Sequence, residues 1–170
     1  NFFKPNCLIS YGCKKFNDNF LKLRIKHMFN VHGGLSPWYR GVITNFWPTY
    51  LLEPQFTGMT LHFISNKIDG GDVLFQTSIN PKEEDGIQDN HCNAVINFCK
   101  IIPKKLSKVL NSKKKILGIK QISSGRIWTK SMWNPHHLNL VYKTFNNKIN
   151  KYCKSKNINV LRKPKLLNIC

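Results

Sequence analysis

The order of the first three elements constrains this chain most. Cys7 to Tyr11 is a short apolar run and reads as a buried strand. A polar turn follows, and Asn17 or Asp18 can cap a short helix running to about Lys26. Met28 to His32 is a second extended run. Strand, short helix and strand in that order form a βαβ unit, so the two strands are expected to lie side by side and parallel in an open sheet.

The remaining chain continues in the same α/β manner. Gly33 to Arg40 reads as a loop, and Val42 to Leu52 as an aromatic-rich helical stretch interrupted at Pro48. Gly58 to Ile64 and Asp72 to Ile79 are rich in strand formers, with a β-β connection around Asp69. From Gln88 to Leu110 apolar residues recur at helical spacing, which predicts a long helix over one sheet face, kinked at Pro103. Ile116 to Ile122 and Gly125 to Trp133 suggest a β-hairpin turning at Ser123 and Ser124. Asn134 and Pro135 then start a final helix, from about His136 to Lys154. The expected fold class is α/β: a twisted mixed sheet flanked by helices, with a carboxyl-terminal hairpin and helix. Three regions are expected, a main domain over 1–112, a hairpin-helix extension over 113–155 and a basic tail over 156–170.

Charge is less informative than its size suggests. The formal net charge of +19 would favour an anionic partner such as nucleic acid. Only Arg24, Arg40, Arg126 and Arg162 among the 27 basic residues are arginines, and the lysines are scattered apart from Lys113 to Lys115. Phosphate recognition favours arginine forks gathered in one stripe, so the lysines read as a solvated surface. No apolar run approaches the roughly 20 residues needed to cross a bilayer, and a soluble cytoplasmic protein without membrane contact is expected. None of the six cysteines forms a CxxC pair, so neither disulfide nor metal is expected. Cys92 and Cys99 are seven apart on a helical pattern and are expected in the core on one apolar face.

The chemistry-bearing residues sit at the end of the second strand. Alternation places Asn30 and His32 on one face and Phe29 and Val31 on the other. Gly33 and Gly34 follow and leave room for close approach to the backbone. Ligands of open parallel sheets bind just past such strand ends. Taken alone, an Asn-x-His pair reads first as a capped turn or a core-satisfied histidine, and Asp69 before two glycines first as an ordinary turn residue.

The wider pattern resembles the folate-dependent formyltransferase family. It consists of Asn30-x-His32, then Leu35-x-Pro37-x-x-x-Gly41, then Thr57-Gly58-x-Thr60-x-His62, then Asp69-x-Gly71. The resemblance implies a Rossmann-like formyltransferase fold and a formyl group passed from 10-formyltetrahydrofolate to an amine through a tetrahedral intermediate. It implies that Asn30 and His32 stabilise the oxyanion, with such donors worth about 3 kcal/mol each in a water-poor site. It further implies that Asp69 favours the charged His32 imidazole and holds a proton-relaying water. Cys13, Lys14 and Phe16, together with His62, Gly70 and Gly71, are implied on the folate side. Many relatives carry Pro-Ser where this chain has Gly33 and Gly34. That variant, with Phe46-Trp47-Pro48, resembles branches acting on amino sugars. The implied acceptor is a small-molecule amine such as an amino-sugar nucleotide. The alternatives are methionyl-tRNA, a non-enzymatic nucleic-acid-binding domain, and an inactive remnant lacking the family's amino-terminal βα units.

Overall fold

The computed structural model describes residues 4–123, 125–159 and 162–169. Strands form at β1 (Cys7–Tyr11), β2 (His27–His32), β3 (Tyr39–Gly41), β4 (Gly58–Phe63), β5 (Val73–Ser78) and β6 (Arg126–Trp128). Helices form at α1 (Asp18–Leu21), α2 (Trp47–Tyr50), α3 (Ile87–Leu110), α4 (Pro135–Phe145) and α5 (Ile149–Ser155). The main sheet has the order β1-β2-β4-β5. The β1/β2 pair is parallel, as the βαβ pattern predicts, and the β2/β4 and β4/β5 pairs are antiparallel. The expected mixed sheet is therefore present, with its antiparallel half built around the loop that carries Asp69.

Two apolar clusters hold the chain. One lies between the sheet and α3, where Phe29, Leu61 and Leu74 are fully buried against Ala94 and Phe98. Phe75 and Phe98 stack with ring centroids 5.2 Å apart. The other is aromatic and gathers Tyr39, Phe46, Trp47 and Trp128 with Val141 and Ile149. Trp47 and Trp128 stack at 4.4 Å, which ties α2 to β6.

Several local expectations are corrected by long-range contacts. The expected hairpin turns at Ser123 and Ser124, the latter outside the described residues, and among the described residues its two arms pair elsewhere: β6 pairs in parallel with β3, and Ile119 makes an antiparallel bridge to Val73. Pro48 does not interrupt a helix between Val42 and Leu52 but stands in the first turn of the short α2, where its missing N–H costs nothing. The first helix stops at Leu21 rather than Lys26, although Asn17 caps it as expected by accepting from the Phe20 amide. The expected helix from His136 to Lys154 is two helices. Asn146 and Asn147 both adopt left-handed backbone, which asparagine tolerates better than most residues, and this breaks the run. α3 continues through Pro103 as one element.

Cys92 and Cys99 do share a helical face, but it is the solvent face: both are exposed, while Asn90, Ala94 and Phe98 point inward. The basic tail lies along β5 in part. The Ile169 amide donates to the Leu74 carbonyl at 2.9 Å and the Leu167 amide to Gln76 Oε1 at 3.0 Å. The Gln76 amide in turn donates to Asn168 Oδ1 at 3.0 Å.

Candidate functional site

Strand register brings the polar side chains together. Asn30 on β2 stands opposite His62 on β4, and His32 opposite Thr60. Residues directly opposite in an antiparallel pair share a face, so the four side chains form one polar patch on the sheet. On the other side of β2, Ser10 of β1 pairs with Asn30, and its hydroxyl donates to Asn30 Oδ1 at 2.8 Å. That bond fixes the amide: Nδ2 must face His62 and Asp69, at 3.1 Å from His62 Nε2 and 3.4 Å from Asp69 Oδ1.

Asp69 arrives from the β4/β5 loop with a left-handed backbone, φ 44°. Its Oδ2 accepts the Gly41 amide at 2.8 Å and lies 3.4 Å from His32 Nδ1. Its Oδ1 lies 3.6 Å from His62 Nε2. Asn30, His32 and Asp69, which the family resemblance implies together, thus lie around one small volume.

Carbonyl partners identify the tautomers, because a carbonyl oxygen only accepts. His62 Nδ1, 2.8 Å from the Phe63 carbonyl, carries a proton, which leaves Nε2 to accept from Asn30. His32 Nε2, 2.7 Å from the Tyr39 carbonyl, likewise carries one. The nitrogen of His32 left for proton exchange is therefore Nδ1, beside Asp69. Burial pushes the His32 imidazole below the ordinary histidine range, against the pull of the Asp69 carboxylate and the Tyr39 carbonyl. Burial acts to raise Asp69, but the neighbouring His62 and His32 imidazoles and the Gly41 amide outweigh it and hold the carboxyl below its usual value. A neutral imidazole therefore stands next to an ionised carboxylate, ready to take a proton at Nδ1.

Gly34 is required by this arrangement. A Cβ there would lie 2.5 Å from the Tyr39 carbonyl oxygen and 2.7 Å from His32 Nε2, so any side chain would separate that hydrogen-bonded pair.

The patch opens into a cavity of about 610 Å³. Cys13, Lys14 and Phe16 line it, as expected, and so do Asn30, His32, His62 and Asp69. Gly70 and Gly71 are not among the lining residues. A Cβ on Gly70 would strike the Arg40 guanidinium and one on Gly71 the Phe63 carbonyl, so both glycines serve loop packing. His62 supports Asn30 as well as lining the cavity. Trp47 and Tyr39 belong to the aromatic core, whereas Phe46 both packs there and lines the cavity.

Sequence reasoning missed Ser10, whose signal was a small polar residue inside an apolar strand. It also missed the wall made by His91, Trp133 and Leu138, which local patterns do not place near Asn30. Among the described residues no group of three or more His, Cys, Asp or Glu is arranged to hold a metal ion. No helix of the described residues is long and apolar enough to cross a membrane.

A mixed sheet with a polar patch past the end of a parallel strand, opening into a large cavity, defines an α/β ligand-binding domain of the kind that hosts enzyme centres. Its sequence places it further: residues 3–91, more than half of the chain, match the formyl transferase family, and the chain belongs to that family. The bifunctional polymyxin resistance protein ArnA of Wigglesworthia glossinidia brevipalpis is 32% identical over 111 residues, which are 65% of this chain and 17% of that protein. The methionyl-tRNA formyltransferase of Desulforamulus reducens is 30% identical over 101 residues, which are 58% of this chain and 31% of that protein. Among solved structures, the formyltransferase PseJ of Anoxybacillus kamchatkensis superposes with a TM-score of 0.61 at 22% identity, over 86% of this chain and 75% of that one. The chain therefore spans less than a third of either of these two curated relatives, while the structural likeness establishes the Rossmann-like formyltransferase fold.

Proposed function

We propose that this chain carries a formyl-transfer centre that moves the formyl group of 10-formyltetrahydrofolate onto the amine of a small acceptor, an amino-sugar nucleotide in the leading reading. The observation that carries the proposal is the convergence of Asn30, His32 and Asp69 within 3.4 Å contacts in the wall of one cavity. The acceptor nitrogen attacks the formyl carbon, and the carbonyl oxygen takes up the electron pair. Asn30 Nδ2 exchanges its long 3.4 Å contact with Asp69 for a bond to that oxygen. The amine proton passes to His32 Nδ1, where the Asp69 carboxylate stabilises the imidazolium. The bond from the formyl carbon to N10 of the folate then breaks, and the proton returns to N10 as tetrahydrofolate leaves.

The loop of Cys13, Lys14 and Phe16 supplies the folate wall in this reading. Phe16 is held by stacking on Phe20 at 4.2 Å. The folate assignment is supported by the family and by PseJ, which was solved with UDP-4,6-dideoxy-4-formamido-L-AltNAc and tetrahydrofolate. That complex also supports a sugar-nucleotide acceptor. Methionyl-tRNA is the second reading, favoured by the relative from Desulforamulus reducens and by the net charge of +19.

A screen of amino-sugar nucleotides and methionyl-tRNA with 10-formyltetrahydrofolate, following tetrahydrofolate release, tests both readings. Release with an amino-sugar nucleotide is expected. Release with methionyl-tRNA alone, with binding that weakens steeply as salt rises, would select the second reading. No release with any acceptor, from protein that binds no folate, would refute the centre altogether.

A further inference from the structure

The Asp69 carboxylate is only as well placed as the loop beneath it, and that loop does little to hold itself. Its internal bonds join Ser65 to Lys67 and, at a long 3.4 Å, the Gly70 amide to the Lys67 carbonyl. None of these grips the Asp69 peptide, which is nonetheless held at φ 44°, a left-handed conformation uncommon outside glycine although aspartate accepts it more readily than most.

The hold comes from outside. Ser36 Oγ donates to the Asp69 carbonyl at 3.1 Å, and the Arg40 guanidinium donates to the Ile68 carbonyl, with Nε at 2.8 Å. Both residues belong to the motif segment from Leu35 to Gly41. The third hold is Gln121: its Nε2 donates to the Asp69 carbonyl at 2.9 Å and to the Gly71 carbonyl at 2.8 Å. One amide nitrogen thus spans the two carbonyls on either side of Gly70, using both of its hydrogens. Its Oε1 is buried and has no hydrogen-bond partner among the described residues. A reversed amide would set that oxygen against two carbonyl oxygens, so only one orientation works.

Gln121 is itself anchored. Two residues earlier Ile119 exchanges both backbone hydrogen bonds with Val73, each at 2.8 Å, so the register of this segment is set by the first residue of β5. The family match ends at residue 91, and Gln121 lies beyond it.

The geometry points to Gln121 as a positioning residue: by clamping the carbonyls of Asp69 and Gly71 it fixes the Asp69 carboxylate against His32 and Asn30. The segment after α3 thereby becomes part of the centre without touching substrate. This rests on the proposed formyl-transfer reading for its catalytic meaning, but the placement of Asp69 is measurable without turnover.

The test is a histidine-selective NMR titration of His32 in the full chain, run beside tetrahydrofolate-release kinetics and thermal melts. Gln121→Met keeps the length and removes both donors. Gln121→Asn is one methylene shorter and can reach a single carbonyl. Ile122→Ala, at a neighbour 96% exposed, is the control. The groups facing His32 are Asp69, His62 and Arg40, and of these only Asp69 favours the imidazolium. A loosened Asp69 therefore lowers the His32 midpoint, by about one pH unit in Gln121→Met and by less in Gln121→Asn. Turnover is expected to fall roughly tenfold with the KM for folate nearly unchanged, because the lost interaction acts on the transition state. Ile122→Ala should change neither. A lower melting temperature with an unmoved His32 midpoint in both Gln121 variants would reduce Gln121 to a packing residue and overturn the inference. If Gln121→Met does not fold, the Gln121→Asn midpoint decides alone. A wild-type chain that shows no turnover with any acceptor and binds no folate refutes the proposed function and leaves the midpoint comparison to decide the role of Gln121.

Discussion

Asp69→Asn is the cleanest perturbation the structure offers. Asparagine tolerates left-handed backbone better than almost any other side chain, so φ 44° is no obstacle, and its Oδ1 can keep the bond from the Gly41 amide. What disappears is the charge. At the 3.4 Å separation of His32 Nδ1 and Asp69 Oδ2, unit charges in a surrounding of effective dielectric 20 attract by about 5 kcal/mol. Asp69 is 14% exposed and the asparagine dipole replaces part of the interaction, so about 2–3 kcal/mol of imidazolium stabilisation should be lost. That corresponds to a fall in kcat of roughly 10²-fold. The assay is steady-state tetrahydrofolate release with the preferred acceptor, accompanied by a thermal melt to establish that the variant is folded. Turnover within about threefold of wild type, from folded protein, would refute the idea that a carboxylate-stabilised imidazolium carries the proton.

Two further outcomes follow from the same geometry. Gly34→Ala places a methyl group within 2.8 Å of the Tyr39 carbonyl, the His32 ring and Thr44, and should cost about 1–3 kcal/mol, read as a melting temperature lowered by several degrees. An unchanged melting temperature would show that the loop yields freely. Burial holds the folded His32 below the histidine value of about 6.5, so its stabilising contribution is complete above that value and is lost as pH falls through it toward the folded pKa. The urea midpoint should therefore decline from pH 7.5 to 5.5, and less steeply in His32→Gln. Equal slopes would contradict the burial argument. The contribution of Asp69, whose carboxyl is depressed, is retained through that whole range and lost only below about pH 4.

Much of the centre was legible because its signals are local and periodic. Asn30 and His32 share a face by alternation, whereas Asp69 joins them only through the resemblance to the formyltransferase family, since by itself it reads as a turn residue. The failures are failures of phase and of distance. A seven-residue spacing correctly put Cys92 and Cys99 on one face of α3, yet spacing cannot say whether that face looks inward; the buried set of Asn90, Ala94 and Phe98 decides it. The segment around Trp128 has strand composition, but its partner is β3, more than 80 residues earlier in the chain, so no turn signal announces the pairing. The break at Asn146 and Asn147 was visible as residues that accept left-handed backbone, and the surrounding helical periodicity masked it. Gln121 carries no motif at all. It acquires its place only once Ile119 has joined Val73.

Gln76 gives the far end of the chain an unexpected reach. Its Oε1 receives the Leu167 amide, while its Nε2 donates to the Ser36 carbonyl at 2.6 Å and to Thr60 Oγ1 at 3.0 Å. Ser36 in turn holds the Asp69 carbonyl. Three hydrogen bonds in series, through Gln76 and Ser36, connect Leu167 with the backbone of Asp69. A disturbance of the backbone at Leu167 therefore has a path of hydrogen bonds to the loop that carries Asp69.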